Sequence, residues 1–318
     1  MRNGGHFQGA TRKSYRINSA TLIALNATEI GYVGPYTGGW QAKAQPTETQ
    51  GMTWTRGLHT PQGFIAIGDK AHYLVSTYGI NWEAIAAPNG ALPYVALAYS
   101  PTLNRFVIWT STGHCWYSSN IRGPWTKTQI NALPIKVSDC KWVGDKFIVV
   151  GTAGTNRMYS STDGITWTLR NPTYISGQAC ATISACLTGD LIVGKASSFA
   201  YNTARDMVTW GNTTGFNTPV EAIAFDDIND GHVLIASGGS TSSIRRIHTT
   251  SRTVSNHSPA GAVRQKFTIQ RAQRVIYAPY ISGTRHGFFY FDGNGNFQTN
   301  GWEDRFVCAA AQLMIAAN

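Results

Sequence analysis

The sequence has few charged residues, no long apolar run and no helical periodicity. Charged residues make up 13% of the 318 positions, and aromatic residues make up 12%. No window shows the 3.6-residue apolar spacing of an amphipathic helix, whereas Gly, Thr, Asn and Ser are abundant. This composition is typical of many short strands joined by turns. It predicts one large all-β domain.

Signals for membranes, export, metals and common catalytic motifs are also missing. No apolar run approaches the roughly 20 residues that span a bilayer, and residues 1–6 lack the apolar core of a signal peptide. The five cysteines form no CxxC or Cys/His pattern, which argues against a disulfide framework or a zinc site. We therefore expect folding in a reducing cytoplasm, no membrane insertion, no metal and no cofactor.

A degenerate repeat of about 43 residues runs through the chain. Its clearest copy is MYSSTDGITW at 158–167, and related segments are YLVSTYGINW at 73–82, YSSNIRGPW at 117–125 and YNTARDMVTW at 201–210. The last position of each copy, most often Trp, recurs at Trp40, Trp82, Trp125, Trp167, Trp210, Val254 and Phe297. The spacings are 42, 43, 42, 43, 44 and 43 residues. Such regularity indicates a repeat architecture.

Each repeat has the anatomy of a four-stranded blade. Two apolar runs, such as 95–98 and 106–109, precede a strand that begins at the Tyr and a strand that begins at the Trp. Four antiparallel strands repeated every ~40–45 residues are typical of a β-propeller. We therefore predict an all-β, seven-bladed β-propeller of four-stranded antiparallel blades. The Trp is expected to fill the wedge between neighbouring blades.

The two ends of the chain are predicted to share one blade. Residues 304–311 and 312–318 match the first two strands of a repeat, and residues 31–40 match a third and a fourth strand. We predict a ring closed by a blade whose inner strands come from 303–318 and whose outer strands come from 19–45. The apolar run 21–25 leaves the division of strands in this blade open. Residues 1–18 are predicted to be a basic arm, and residues 19–318 the propeller.

The clearest repeat resembles the Asp-box of sialidase-like propellers, whose pattern is Ser-x-Asp-x-Gly-x-Thr-Trp. In segment 160–167, Thr162 takes the place of the box Asp, and Asp163 follows one position later. The looser pattern Tyr-Ser-Ser-x-Asp-Gly-x-x-Trp resembles the repeats of propellers in tailed-phage virions and bacterial surface adhesins. This resemblance covers residues 30–318 as a repeat and implies a fold corner, since a fold does not by itself specify a function.

A sialidase-like, glycan-processing enzyme is the catalytic alternative. Residues 15–18, YRIN, resemble the Phe/Tyr-Arg-Ile-Pro motif of that family, in which the Arg binds a substrate carboxylate, but Asn18 replaces the Pro. Glycoside hydrolysis also needs paired acidic groups at one pocket. Residues 17–68 contain no Asp, and residues 231–291 contain neither Asp nor Glu. We therefore predict no catalytic residues and no enzymatic activity.

Positive charge is concentrated in one stretch of this chain, whose formal net charge is +10. Residues 231–291 contain basic residues without any acidic residue, and these are the candidate binding residues for an anionic partner: Arg245, Arg246, Arg252, Arg264, Lys266, Arg271, Arg274 and Arg285. The alternative is that they are scattered, solvated side chains. Because aromatic residues are not interleaved with them, we do not expect a nucleic-acid partner.

The phage-like repeat, the missing export signal and the uncharged Thr/Asn/Gly-rich composition favour a virion protein of a phage tail, baseplate or fibre. We expect a binding platform for a host receptor or a surface glycan, with Trp109, Tyr277 and Tyr280 as aromatics that could stack on sugars. The alternative is a structural docking component that binds an acidic neighbouring virion protein. In either case the expected location is the virion, after synthesis in the host cytoplasm.

Overall fold

The computed structural model consists of β-strands joined by turns. It describes residues 22–34, 40–90, 93–128, 134–152, 158–170, 179–185, 191–195 and 312–317, and the strands given below within residues 199–299. In these ranges the helical structure is limited to the 3-10 turn Thr47–Thr49, and no helix there is long and apolar enough to cross a membrane. The predicted all-β fold is confirmed.

The strands form antiparallel sheets, which we label A to G in chain order. Sheet A has the strand order Leu313–Ala316, Leu22–Leu25, Glu29–Val33 and Gln41–Ala44. The strands of sheet B are Trp54–Thr60, Gly63–Gly68, His72–Ser76 and Glu83–Ala86. The strands of sheet C are Tyr94–Ser100, Arg105–Thr110, Cys115–Ser118 and Thr126–Lys127. The strands of sheet D are Val137–Val143, Lys146–Gly151, Met158–Ser161 and Thr168–Arg170.

The remaining sheets follow the same pattern. The strands of sheet E are Cys180–Ala185, Leu191–Lys195, Phe199–Asn202 and Gly211–Thr213. The strands of sheet F are Val220–Asp226, His232–Ser237, Ser243–His248 and Val254–His257. In sheet G, Ala262–Val263 and Thr268–Gln270 both pair with Val275–Ser282, which is followed by Arg285–Phe291 and Phe297–Thr299. In sheets B to G, the order of the strands across the sheet therefore follows their order in the chain.

Burial is greatest in the second strand of a sheet and least in the fourth. The strands Gly63–Gly68 and Leu22–Leu25 are buried at every residue, whereas the fourth strands Thr126–Lys127 and Thr168–Arg170 are exposed at every residue. A strand buried at both its odd and its even positions must be covered on both faces of its sheet. The sheets are therefore stacked face to face, with their fourth strands at the outer edge.

The first strands of neighbouring sheets contact one another. These contacts run from sheet A to B, B to C, C to D, D to E and E to F. In addition, Thr268–Gln270 and Val275–Ser282 of sheet G contact Leu313–Ala316 of sheet A. Apolar clusters fill the gaps between the sheets: Trp54 and Phe64 pack with Ile23 and Ile315 between sheets A and B.

Sheet A combines the two ends of the described chain. Leu22–Leu25 pairs antiparallel with Leu313–Ala316, so that Leu22 lies opposite Ala316. The sequence predicts two C-terminal strands here, whereas the described part of this sheet has one C-terminal strand and three N-terminal strands. The apolar run 22–25 forms the second strand of sheet A, where all four of its residues are buried. The other predicted strand, 304–311, and the arm 1–18 lie outside the described residues.

The sequence predicts a fourth strand that begins at the repeated Trp, and the structure places the Trp one residue before that strand. Trp125 of sheet C donates from Nε1 to the hydroxyl of Tyr73 in sheet B, at 2.9 Å. Trp167 of sheet D meets Trp109 of sheet C edge to face, with ring centroids 4.8 Å apart. These rings therefore join adjacent sheets, as a wedge-filling residue should.

A β-bulge recurs near the start of the first strand in sheets B to F. The extra residues are Thr55, Val95, Ser138, Ala181 and Glu221. At two of these positions a hydroxyl links neighbouring sheets: Thr55 Oγ1 donates to the Tyr94 carbonyl at 2.6 Å, and Ser138 Oγ donates to the Cys180 carbonyl at 2.5 Å. The bulge thus turns a side chain toward the next sheet.

Candidate functional site

An open cleft of about 490 Å³ lies at the outer edge of sheet B, lined by residues 75–78 and 80–83 and by Arg122 of sheet C. We call it the Tyr78 cleft. It surrounds the turn between the third and fourth strands of sheet B. Its volume lies within the roughly 300–1,000 Å³ that is usual for ligand pockets.

In sheet D the equivalent turn is held together by Asp163. Its carboxylate accepts hydrogen bonds from the backbone N–H groups of Ile165 and Thr166, each at 2.8 Å, and from the Ser161 hydroxyl at 2.7 Å. Ser161 in turn accepts from the N–H of Gly164 at 2.7 Å. Burial alone would raise the pKa of Asp163, but these hydrogen bonds outweigh it and lower the pKa below its usual value.

In sheet C an amide has the same role. The Asn120 side-chain oxygen accepts from the backbone N–H of Arg122 at 2.8 Å, while the Ser118 hydroxyl accepts from the N–H of Asn120 at 3.1 Å. Side-chain oxygens of Asp and Asn commonly close turns of this kind. Ser118 and Ser161 are equivalent residues, because each lies opposite a Phe of the second strand, Phe106 and Phe147.

In sheet B this position is occupied by Tyr78. Ser76 lies opposite Phe64 and accepts from the N–H of Gly79 at 2.8 Å, as Ser161 does from Gly164. The residue two places after the Ser is therefore Tyr78, where sheet D has Asp163. Tyr78 is 46% exposed, which makes it the most exposed large apolar side chain among the described residues. An aromatic ring thus replaces the oxygen that closes the other two turns.

Polar groups from sheets B and C line the cleft together with Tyr78. Arg122 Nε lies 3.0 Å from Glu83 Oε2, and both side chains are exposed. Arg122 Nη2 is also 3.5 Å from the Thr77 hydroxyl. Lys43 of sheet A donates to the Asn81 side-chain oxygen at 2.7 Å. The cleft therefore presents a flat aromatic surface beside donors and acceptors that face solvent.

A second charged pair lies on the first strands and has a structural role. Arg56 Nε is 3.2 Å from Oδ1 of the fully buried Asp139. Oδ2 of Asp139 accepts from the Thr182 hydroxyl at 3.2 Å and from the Ile183 N–H at 3.0 Å. Both carboxylate oxygens therefore accept hydrogen bonds from the protein, and this pair joins sheets B, D and E.

Three of the predicted basic binding residues lie on described strands. Arg245 and Arg246 are consecutive on Ser243–His248 of sheet F, whereas Arg285 begins the strand Arg285–Phe291 of sheet G. The other five lie outside the described residues: Arg252, Arg264, Lys266, Arg271 and Arg274. The motif 15–18 also lies outside them.

The prediction that Trp109 stacks on a sugar is wrong. Trp109 is 1% exposed and packs in the cluster between sheets C and D, because a ring on a second strand is covered on both faces. Tyr277 and Tyr280 lie on the strand Val275–Ser282. Sequence reasoning missed Tyr78, although aligning the repeats places it against Asp163 and so marks an aromatic ring at a turn position.

The described cysteines are buried, and the described residues contain no cluster of metal ligands. Burial raises the pKa values of Cys115 and Cys140, so these thiols stay protonated at neutral pH. Cys115, Cys140 and Cys180 are buried and form no disulfide. Within the described ranges, no group of three or more His, Cys, Asp or Glu side chains is placed to hold a metal ion.

No protein-family model and no curated protein matches this chain. Solved structures do. YCF48 bound to a D1 peptide is 13% identical, with 84% of this chain and 87% of that chain covered and a TM-score of 0.64. YCF48 from Cyanidioschyzon merolae is 13% identical, with coverages of 82% and 88% and a TM-score of 0.59. A streptogramin B lyase is 9% identical, with coverages of 83% and 91% and a TM-score of 0.62. These structures are β-propellers, and the chain shares that fold.

Proposed function

We propose that this chain is a non-enzymatic binding platform in the virion of a tailed phage, and that it binds its ligand in the Tyr78 cleft. The observation that carries the proposal is the exposed Tyr78 ring at a position where equivalent turns have Asp163 and Asn120. A residue that breaks a local turn rule without a structural gain is a candidate for function. The similar propeller that is bound to a D1 peptide supports partner binding by this fold.

We further propose that the sheets form one ring of seven blades, closed by sheet A. Contacts between consecutive first strands, and between sheets G and A, support this arrangement. The pairing of Leu22–Leu25 with Leu313–Ala316 supports closure by the two ends of the chain. A ring leaves few exposed sheet edges, which suits a rigid platform. Electron microscopy of the purified chain tests the blade count, and an open arc would contradict it.

The binding function is tested with the purified full chain and a panel of bacterial cells. We expect saturable binding to one strain, and antibodies against the chain should label tails of the phage that encodes it. Labelling of tails without binding to any cell would support the docking alternative instead. Absence of the chain from purified particles would contradict the virion assignment.

The docking alternative rests on the basic stretch 231–291, in which Arg245, Arg246 and Arg285 lie on strands of two neighbouring sheets in chain order. An acidic virion protein would be its partner. Charge reversal at Arg245, Arg246 and Arg252 should then weaken capture of that partner, and the capture should fall steeply with added salt. Unchanged affinity at low salt would contradict this alternative.

The absence of enzymatic activity is also a proposal that can be tested directly. A streptogramin B lyase shares the fold at 9% identity, a level that carries no activity over to this chain. Incubation of the chain with any polysaccharide that it binds should release no new reducing ends. A release that increases with the amount of chain and with time would overturn the proposal and favour the glycan-processing alternative.

A further inference from the structure

We propose that the ligand of the Tyr78 cleft is a neutral sugar unit of a polysaccharide, stacked on the Tyr78 ring and hydrogen-bonded through two adjacent hydroxyls to Arg122 and Glu83. The inference rests on the proposed function and names the chemical class that this site recognises.

Tyr78 occupies the turn position at which sheet D has Asp163. In sheet D, Asp163 accepts two backbone hydrogen bonds from the turn, and this is the residue type that turn geometry favours. Sheet B has the same Ser-to-Gly hydrogen bond but a Tyr in place of the Asp. The ring does not fill a core, because 46% of the residue is exposed. A flat exposed ring with a polar tip suits a ligand that has one apolar face.

A hydrogen-bond donor, Arg122, and an acceptor, Glu83, lie together in the cleft. Arg122 is a pure donor and Glu83 is a pure acceptor, and their nearest atoms are 3.0 Å apart. A sugar hydroxyl both donates and accepts, so two adjacent hydroxyls can bond to Arg122 and Glu83 together. Asn81, whose side-chain oxygen is engaged by Lys43, adds a second donor through its amide nitrogen.

The balanced charge of the cleft favours a neutral ligand. Arg122 and Glu83 are the charged residues that line the cleft, and their charges compensate each other. A ligand carboxylate beside Glu83 would be repelled, which favours a neutral sugar over an acidic one. Binding should therefore respond little to salt, in contrast to docking through the basic stretch 231–291.

The decisive variant is Tyr78→Asp, which restores the residue that the equivalent turn uses. An Asp at 78 can accept from the backbone N–H groups of Ile80 and Asn81, as Asp163 does in sheet D, so the melting temperature should be equal to or above that of the parent chain. Loss of the ring should weaken polysaccharide binding by about tenfold or more. The matched control is Leu169→Ala, which removes another exposed apolar side chain, in sheet D, and should leave binding unchanged.

The probes are immobilised neutral polysaccharides from bacterial surfaces, each untreated or oxidised with periodate, which cleaves the bond between adjacent hydroxyl-bearing carbons. We expect the parent chain to bind at least one of them, periodate to abolish that binding, and salt to change the affinity by less than about threefold. Intact cells, treated with periodate or with protease, provide the comparison between a sugar and a protein ligand.

Three outcomes would overturn the sugar assignment. They are cell binding that protease removes and periodate does not, equal binding by the parent chain and Tyr78→Asp, and a preference for acidic polysaccharides that salt abolishes. Each of these leaves the binding platform intact, because the parent chain still binds cells, but equal binding by Tyr78→Asp also places the site outside the Tyr78 cleft. If the parent chain binds neither cells nor any polysaccharide, the receptor-binding function itself fails together with the sugar assignment.

Discussion

Arg56 of sheet B forms an ion pair with Asp139 of sheet D, with Nε and Oδ1 3.2 Å apart, although sheet C contacts both of these sheets from between them. The residue after the bulge is Arg56 in sheet B, Ala96 in sheet C and Asp139 in sheet D. Arg56 also donates from Nη2 to the carbonyl of Ser138 at 2.6 Å.

Replacing Arg56 with Met should strongly destabilise the protein. The change leaves the carboxylate of Asp139, which is 0% exposed, without its charged partner. Removing one partner of a buried ion pair costs about 3–5 kcal/mol of unfolding free energy. Urea unfolding gives this value. Lys146→Met, which breaks the exposed pair with Asp145, is the control and should cost less than about 1 kcal/mol. Equal losses in the two variants would refute the structural role of Arg56.

The bulge hydroxyl of Ser138 should make a measurable contribution of its own. Ser138→Ala removes the hydrogen bond to the Cys180 carbonyl and the one to the Val150 carbonyl at 3.2 Å. We expect a loss of about 1 kcal/mol in unfolding free energy, since that is typical for such bonds. Ser119→Ala, at an exposed turn residue, should change stability little. A Ser138→Ala variant as stable as the parent chain would argue against hydroxyl linkage of sheets D and E.

Asp163 should make stability depend on pH in the acidic range. Its pKa is lowered in the folded chain, so the ionised group contributes stability above the unfolded pKa, which is about 3.9. That contribution is lost as the pH falls through the folded pKa. Asp163→Asn should therefore be less stable than the parent chain at pH 7, and the difference should shrink as the pH is lowered. Asp145→Asn, at an exposed position, should show no such trend.

The contact between sheets A and B can be tested at Gly57. A Cβ atom there would lie 2.3 Å from Cδ1 of Ile315. Gly57→Ala should lower the free energy of unfolding by about 1–3 kcal/mol, because the added methyl group overpacks this contact. Ile315→Ala alone should also destabilise, because it opens a cavity, whereas the double variant should lose less than the sum of both. Strict additivity of the two changes would show that Gly57 and Ile315 do not pack together in solution.

The repeat carries much information about the sheets because each copy obeys the same packing demands. The repeated Trp lies one residue before the fourth strand that was predicted to begin at it, as at Trp82, Trp125 and Trp167, since each ring must reach a neighbouring sheet. The bulges escaped prediction for a physical reason. They are features of backbone pairing, and the residues that occupy them, such as Thr55, Val95 and Glu221, share no side-chain chemistry.

The candidate site was visible in the sequence only in part. Tyr78 could be found by aligning it with Asp163, but its neighbour Arg122 could not, because Arg122 reaches the cleft from sheet C. The mistaken choice of Trp109 has the opposite cause. Its aromatic type suggested a ligand contact, whereas its place on a second strand determines burial.

Pairing Leu22–Leu25 with Leu313–Ala316 has a consequence for how the chain folds. The partners are separated by almost the whole sequence, so a large loop must be closed before this ladder can form. During synthesis this edge of Leu22–Leu25 stays unpaired until residues 313–316 have left the ribosome. Contacts of such high sequence separation slow folding. Two nascent copies could pair with each other through this unpaired edge of Leu22–Leu25. Expression at low temperature should therefore favour the monomer.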